Sequence, residues 1–168
     1  MGLEILPAVI LGQDLLMNIH FDSSDFEKKF GNIVKKAVPA LIEKGLGRAM
    51  LDLMNDCVME VPTVPLKEGW LRGSASVFVQ NKFVSDSTSL PSAKAGKALT
   101  VYAENIAPHQ FVGLIGFNTP YAAKMHEGID FHFSEPSSGP KYLESKMITK
   151  KNVYMKVIAD TIKEGGGA

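Results

Sequence analysis

Apolar positions recur with a helical period in two long stretches and alternate in shorter ones between them. Phe26, Phe30, Ile33, Ala37 and Leu41 fall on one face, and Leu46, Met50, Leu53 and Cys57 carry the stripe on to about Glu60. Ser24 with Glu27 makes a capping-box pattern at its start. Pro39 lies within the stripe and is expected to kink or divide it, so 24–60 reads as one long kinked helix or two abutting ones, ended by Pro62 and Pro65. Leu143, Met147, Tyr154, Ile158 and Ile162 predict a second long helix from Lys141 to about Glu164, closed by the glycines 165–167. Between the two, 74–81 alternates as a strand does, and 98–104 and 110–117 read as two more strands, which together suggest an antiparallel meander. Gly113 and Gly116 within the last strand point to a bulge or a close backbone approach.

The remaining stretches connect these elements. Residues 1–22 read as an arm with one short element. Leu3, Ile5, Val9 and Leu11 look strand-like, while Leu15, Leu16 and Ile19 fit one or two helical turns equally well. Residues 61–73 are a turn-rich connector, 83–97 a mobile loop or hairpin tip, and 129–140 a polar loop. Ahead of that polar loop, Asn118–Gly128 predicts a short helix, with Thr119 as its side-chain cap, Pro120 in the first turn and Gly128 as its stop. The fold class expected is α+β: a long N-terminal helix and a C-terminal helix packed on an antiparallel sheet, with a short helix after the last strand. Residues 23–168 then make a single domain behind the 1–22 arm.

Composition narrows the function classes. Lys plus Arg equals Asp plus Glu at 18 each, so the formal charge is zero, which argues against a dedicated nucleic-acid binder and favours self-association. One cysteine, Cys57, leaves no intrachain disulfide and suits a reducing compartment. The first residues lack the basic start of a signal peptide and are too short an apolar run to span a membrane, so a soluble cytoplasmic protein is expected.

Candidate chemistry is sparse. His126, Glu127 and His132 are the nearest thing to a metal cluster, but His132 falls six residues after His126, not at the spacing of H-E-x-x-H. No strained elbow such as G-x-S-x-G presents a serine, and His20, His109, His126 and His132 have no fixed nucleophile beside them. Cys57, on the apolar stripe, reads as a buried small hydrophobe. Lysines 35, 36, 44, 146, 150 and 151 read as solvated helix surface. Trp70 is the only tryptophan, either a core anchor or an interface anchor. Arg72 can clamp a carboxylate bidentately, with Glu127 as a candidate partner in the same or a neighbouring chain. No catalytic residue, metal or cofactor is assigned.

Three landmarks stand in order along the chain. Pro65-x-x-x-Gly69-x-Leu71-Arg72-x-Ser74, with Trp70 inside it, enters a strand. A later strand runs into Tyr121-Ala122 and then Glu127-Gly128. A polar loop leads through Pro140 to Tyr142-Leu143 at the start of the last helix. Over about residues 25–163 this pattern resembles the head–tail joining or tail-completion proteins of tailed bacteriophages, also described as neck or minor capsid proteins. The family commonly has Thr where this chain has Glu68, and often separates the acidic residue from the glycine where Glu127 and Gly128 are adjacent. The resemblance implies a structural, non-enzymatic virion subunit, assembled in the host cytoplasm into a homo-oligomeric ring of six- or twelve-fold symmetry. Such a ring joins a head-completion or connector protein to the tail tube or tail terminator, and DNA passes through its lumen without sequence-specific binding. It marks Gly69, Trp70, Leu71, Arg72, Tyr121, Ala122, Glu127, Gly128, Tyr142 and Leu143 as structural or interface residues. The other classes that the sequence leaves open are a small nucleic-acid-binding accessory domain and a metal-dependent hydrolase centred on His126, Glu127 and His132.

Overall fold

The structure is a computed structural model that describes residues 3–11, 14–22, 37–95, 106–108 and 110–166, the first two stretches by their backbone. The elements are strands β1 (Leu3–Leu11) and β2 (Asp14–Asp22), helix α1 (Ala37–Met59), strands β3 (Ala75–Val79), β4 (Lys82–Asp86) and β5 (Gln110–Phe117), and helices α2 (Ala122–Glu127), α3 (Glu144–Thr149) and α4 (Lys151–Gly166). The strands form one antiparallel sheet in the order β1-β2-β5-β3-β4. Helix α1 lies on this sheet and α4 packs against α1. The expected α+β arrangement of a long helix, a sheet, a short helix and a C-terminal helix is therefore present.

Three elements differ from the sequence expectation. The stretch 1–22, read as an arm, supplies two sheet strands. β2 pairs with β5 along eight residues, from Leu15 against Phe117 to Asp22 against Gln110. β1 takes the edge position, where Pro7, which has no N–H to give a ladder, falls between the register positions Leu6 and Val9 at which the pairing shifts. The stretch 83–97, read as a loop tip, begins as strand β4. Gln80 and Asn81 both adopt positive φ, the conformation of a two-residue hairpin turn, and Gln80 also extends the ladder by donating its N–H to the Val112 carbonyl at 2.9 Å. The last helix is split, with Lys150 out of helical geometry between α3 and α4. There its ammonium reaches Asp56 at 2.7 Å and Glu60 at 2.8 Å, while the Tyr154 hydroxyl donates to the same Asp56 carboxylate at 2.8 Å. The proposed strand at 98–104 and the helix start at Ser24 lie outside the described residues. From Ala37 onward α1 is continuous through Pro39.

The core follows from the two periods. On β5, Phe111, Ile115 and Phe117 face the helices, as do Ala75, Val77 and Val79 of β3. Leu46, Ala49, Met50, Leu53 and Cys57 of α1 are completely buried against them and against Tyr154 and Ile158 of α4. The opposite sheet face holds a smaller cluster of Phe78, Val112 and Leu114, with Ile106 against it. Two glycines set the layer spacing. A Cβ on Gly45 would stand 3.0 Å from the Ile158 Cα, and one on Gly113 would stand 2.9 Å from Met50 Cγ. Gly113 is therefore a site of close approach within a regular strand. Cys57 is a free thiol whose pKa burial pushes well up, as expected of an inert core residue. No described helix is long and apolar enough to cross a membrane.

Gly45→Ala should force α1 and α4 apart and lower unfolding free energy by about 1–3 kcal/mol, the usual range for overpacking. Urea denaturation should show a lower midpoint with an unchanged slope.

Candidate functional site: a stapled joint beside an aromatic cleft

The connector between α1 and β3 leaves the helix with backbone groups to satisfy, and the loop after α2 satisfies them. Thr63 donates its N–H to the Ser137 carbonyl at 2.8 Å, and Gly139 donates back to the Thr63 carbonyl at 3.2 Å. Lys146 is buried and its ammonium donates to the Pro62 carbonyl at 2.9 Å; burial lowers its pKa. It and Lys150 are thus internal ties, unlike the solvated surface expected of them. Arg72 completes the staple. Its guanidinium is buried, donating to the Val64 carbonyl at 3.0 Å and to Glu135 Oε2 at 3.3 Å, while its Nε has no partner. The carboxylate paired with Arg72 is therefore Glu135, not Glu127. The polar loop 129–140 is tied down at several points within a single chain.

Two glycines in the connector receive the chain after β4. Gly69 has φ of +89°, a left-handed conformation open to glycine, and its carbonyl accepts the Lys94 N–H at 3.0 Å. A Cβ at Gly69 would lie 2.3 Å from the Ser92 carbonyl oxygen, and one at Gly73 would lie 1.8 Å from that of Lys94. The short turn Arg72–Ser74 then leads into β3. Ser87 seals it, donating its hydroxyl to the Arg72 carbonyl at 2.7 Å and accepting the Ala75 N–H at 3.0 Å.

Helix α2 forms the other half of the joint. Its expected cap does not form: Thr119 Oγ1 is buried without a partner, and the helix starts after Tyr121 with no side-chain cap. Tertiary contacts hold it instead. The Tyr142 hydroxyl donates to the Ala122 carbonyl at 3.3 Å, and the Tyr142 ring packs on Phe117 edge to face. His126 is completely buried, with its ring 4.9 Å from that of Tyr142. Its Nε2 accepts the Glu144 backbone N–H at 3.3 Å, which places the ring proton on Nδ1, where it is donated to Glu127 Oε1 at 2.7 Å. Burial favours the neutral ring and lowers the His126 pKa, against the opposing pull of Glu127. Lys141 pairs with Glu127 and, at 2.9 Å, with Glu144. The hydrogen bonds to Glu127 and Glu144 raise the Lys141 pKa. Partial burial works to raise the Glu127 pKa, but hydrogen bonds from Lys141 and His126 outweigh it and hold the carboxyl below its ordinary value. Tyr142 is pushed well up by burial.

His126, Glu127 and Glu144 offer oxygen and nitrogen atoms within 4.8 Å of one another. Both imidazole nitrogens are already hydrogen-bonded, and the Lys141 ammonium pairs with both carboxylates. No metal is assigned to this group, and His132, expected beside His126, is exposed and not part of it.

The joint walls a cleft of about 670 Å³ between the connector, α2 and the loop. Leu66, Trp70, Tyr121, Met125 and Phe133 make it aromatic and apolar, and Lys67, Glu68 and His132 add polar groups. Trp70 is 46% exposed and Tyr121 42% exposed. The Trp70 indole N–H donates to Glu68 at 3.1 Å, and the Lys94 ammonium stands 5.4 Å from its ring centre. Among the residues singled out in the sequence, Trp70 and Tyr121 thus present side chains to solvent, and Glu127 does so in part. Gly69, Leu71, Arg72, Ala122, Tyr142 and Leu143 are buried supports. A side chain at Gly128 would overlap the Phe131 ring, so this residue is a packing position as well as a stop. Sequence reasoning missed Glu135, Lys141 and Glu144. The Lys141–Glu144 spacing was the available hint, while Glu135 carries no local signal for its distant partner. His109 lies outside the described residues, and His20 belongs to β2.

Compared with protein-family models, curated proteins and solved structures, the chain shows no match.

Arg72→Ala should leave the buried Val64 carbonyl without its side-chain donor and Glu135 with only the Ser138 hydroxyl. We expect a loss of about 1–3 kcal/mol, the range for stranding a buried hydrogen-bonding group, read as a lower thermal midpoint of the monomer.

Proposed function

We propose that this chain is a structural subunit of a tailed-bacteriophage neck, a tail-completion protein that acts through assembly and not through catalysis. The observation that carries the reading is the convergence of the three landmarks on one joint. The connector 65–74 and the residues that open α2 are far apart in sequence, yet they line a single cleft with Trp70 and Tyr121 at its surface, and Tyr142 of the third landmark, buried behind it, ties to α2 through the Ala122 carbonyl. Landmarks that support one another in space give the resemblance more weight than three short motifs do separately. Further support comes from the wealth of exposed large apolar side chains, Phe83, Ile129, Phe131 and Ile148 among them, beside a net charge of zero.

In this reading several copies close into a ring of six- or twelve-fold symmetry between a head-completion or connector protein and the tail tube or tail terminator. Head-to-tail contacts in such a ring are heterologous, so a face bearing Trp70 and Tyr121 meets a different face of its neighbour. DNA crosses the lumen without sequence-specific binding, for which a chain without net positive charge is suited, since tight phosphate contacts would hold the DNA in place. The place of the subunit is then the virion neck.

Mass photometry of the purified chain, alone and with its neck partners, should show a multi-copy ring. Trp70→Ser with Tyr121→Ser should weaken ring formation at least tenfold while leaving the monomer's melting temperature within about 2 °C, as surface substitutions do. A chain that stays monomeric and is missing from purified particles would overturn the proposal.

A further inference from the structure

Among the described residues His126 is the one histidine buried completely, and its Nε2 contact is incompatible with protonation. Nε2 is an acceptor for the Glu144 N–H, so a proton there would set two N–H groups against each other. Among the described residues, the groups that face the ring are Glu127 on its own helix, and Lys141, Tyr142 and Glu144 from the turn that opens α3. The same turn is bound again by the His126 carbonyl, which accepts the Lys141 N–H at 2.7 Å. Met125, next to His126 on α2, and Tyr121, just ahead of that helix, form one wall of the cleft. The imidazole thus joins a cleft wall to the start of α3 through an acceptor that exists only while the ring is neutral.

We propose that His126 is an acid-sensitive latch: protonation at Nε2 expels the Glu144 amide, loosens α2 from the 141–144 turn and shifts the cleft wall that carries Tyr121. The sign follows from the burial of the ring. A histidine whose pKa is lowered in the closed state binds its proton more readily in the open one. The latch therefore holds above the ordinary histidine range, near pH ~6.5, and weakens as pH falls through and below it. Glu127 and Glu144 favour the cation and Lys141 opposes it, so the net effect rests on burial exceeding the pull of the two carboxylates.

The chain carries its own reporter, because Trp70, which also lines the cleft, is the only tryptophan. The full chain is titrated from neutral to acid pH while the His126 ring and the Glu144 amide are followed by NMR with hydrogen exchange, and Trp70 emission is recorded in parallel. The Glu144 amide should lose protection at least tenfold in the same step in which His126 titrates, with a shift in Trp70 emission. Glu127→Gln keeps the shape of the joint and removes the anion nearest the ring, so it should move that step to lower pH. His126→Asn should abolish the step if the variant folds. Glu144 protection that persists after His126 has titrated would overturn the latch, as would a step left in place by Glu127→Gln. Constant Trp70 emission across the step would overturn its coupling to the cleft.

Discussion

Helix α1 is buried on two sides, and the remainder of the molecule is arranged around that constraint. One face of the helix meets β3 and β5, and another meets α4, with Leu46, Ala49, Met50 and Leu53 enclosed completely. A helix enclosed in this way must approach its neighbours closely. Gly45 lets its helix approach the Ile158 backbone, and Gly113 leaves room for the Met50 side chain on the sheet. The hydrophobic area removed from water is the driving term, and the two glycines determine how far the layers can close.

An enclosed helix also creates a problem at its end. The chain must leave α1, cross the rim of the core and enter the middle of the sheet at β3, passing polar groups through a region with little access to water. The staple to the loop 134–139 solves this. Thr63, Arg72 and Lys146 satisfy backbone carbonyls and N–H groups that would otherwise be buried without partners. Polar residues that look functional in isolation thereby become supports. His126 and Tyr142 serve α2 in the same way, since a helix of six residues has little stability of its own and is held by what it touches.

Such a joint gives the molecule a firm frame with an aromatic cleft in its surface. Firmness there would suit the assembly role proposed above, because a preorganised face loses less conformational freedom on docking. The same frame places an imidazole where its charge state matters, so a rigid support and a point of sensitivity coincide at His126.

Much of the architecture was legible in the chain. The helical stripes of α1 and α4 and the alternation at β3 come from the burial of one face, a local pattern that periodicity records directly. The fold class and the buried Cys57 followed from the same kind of reading. Other features depended on partners far away in sequence. The stretch 1–22 was ambiguous because an apolar run fits strand or helix until a neighbouring strand, here β5, offers it a ladder. Thr119 looked like a cap, yet α2 begins after Tyr121 because Tyr142 and Glu144 hold the helix from outside. Lys150 looked like helix surface, yet it sits at the break between α3 and α4 and pairs with Asp56 and Glu60 at the far end of α1. Asn118–Gly128 shows the division most clearly. The sequence by itself determined a short helix carrying Tyr, His and Glu. Only the tertiary structure decided that the tyrosine faces a cleft, the histidine is sealed in the core and the glutamate is shared between His126 and Lys141. The physical reason is that a side chain's environment is set by whatever packs against it, and residues 141–144 pack there only once the whole chain has folded.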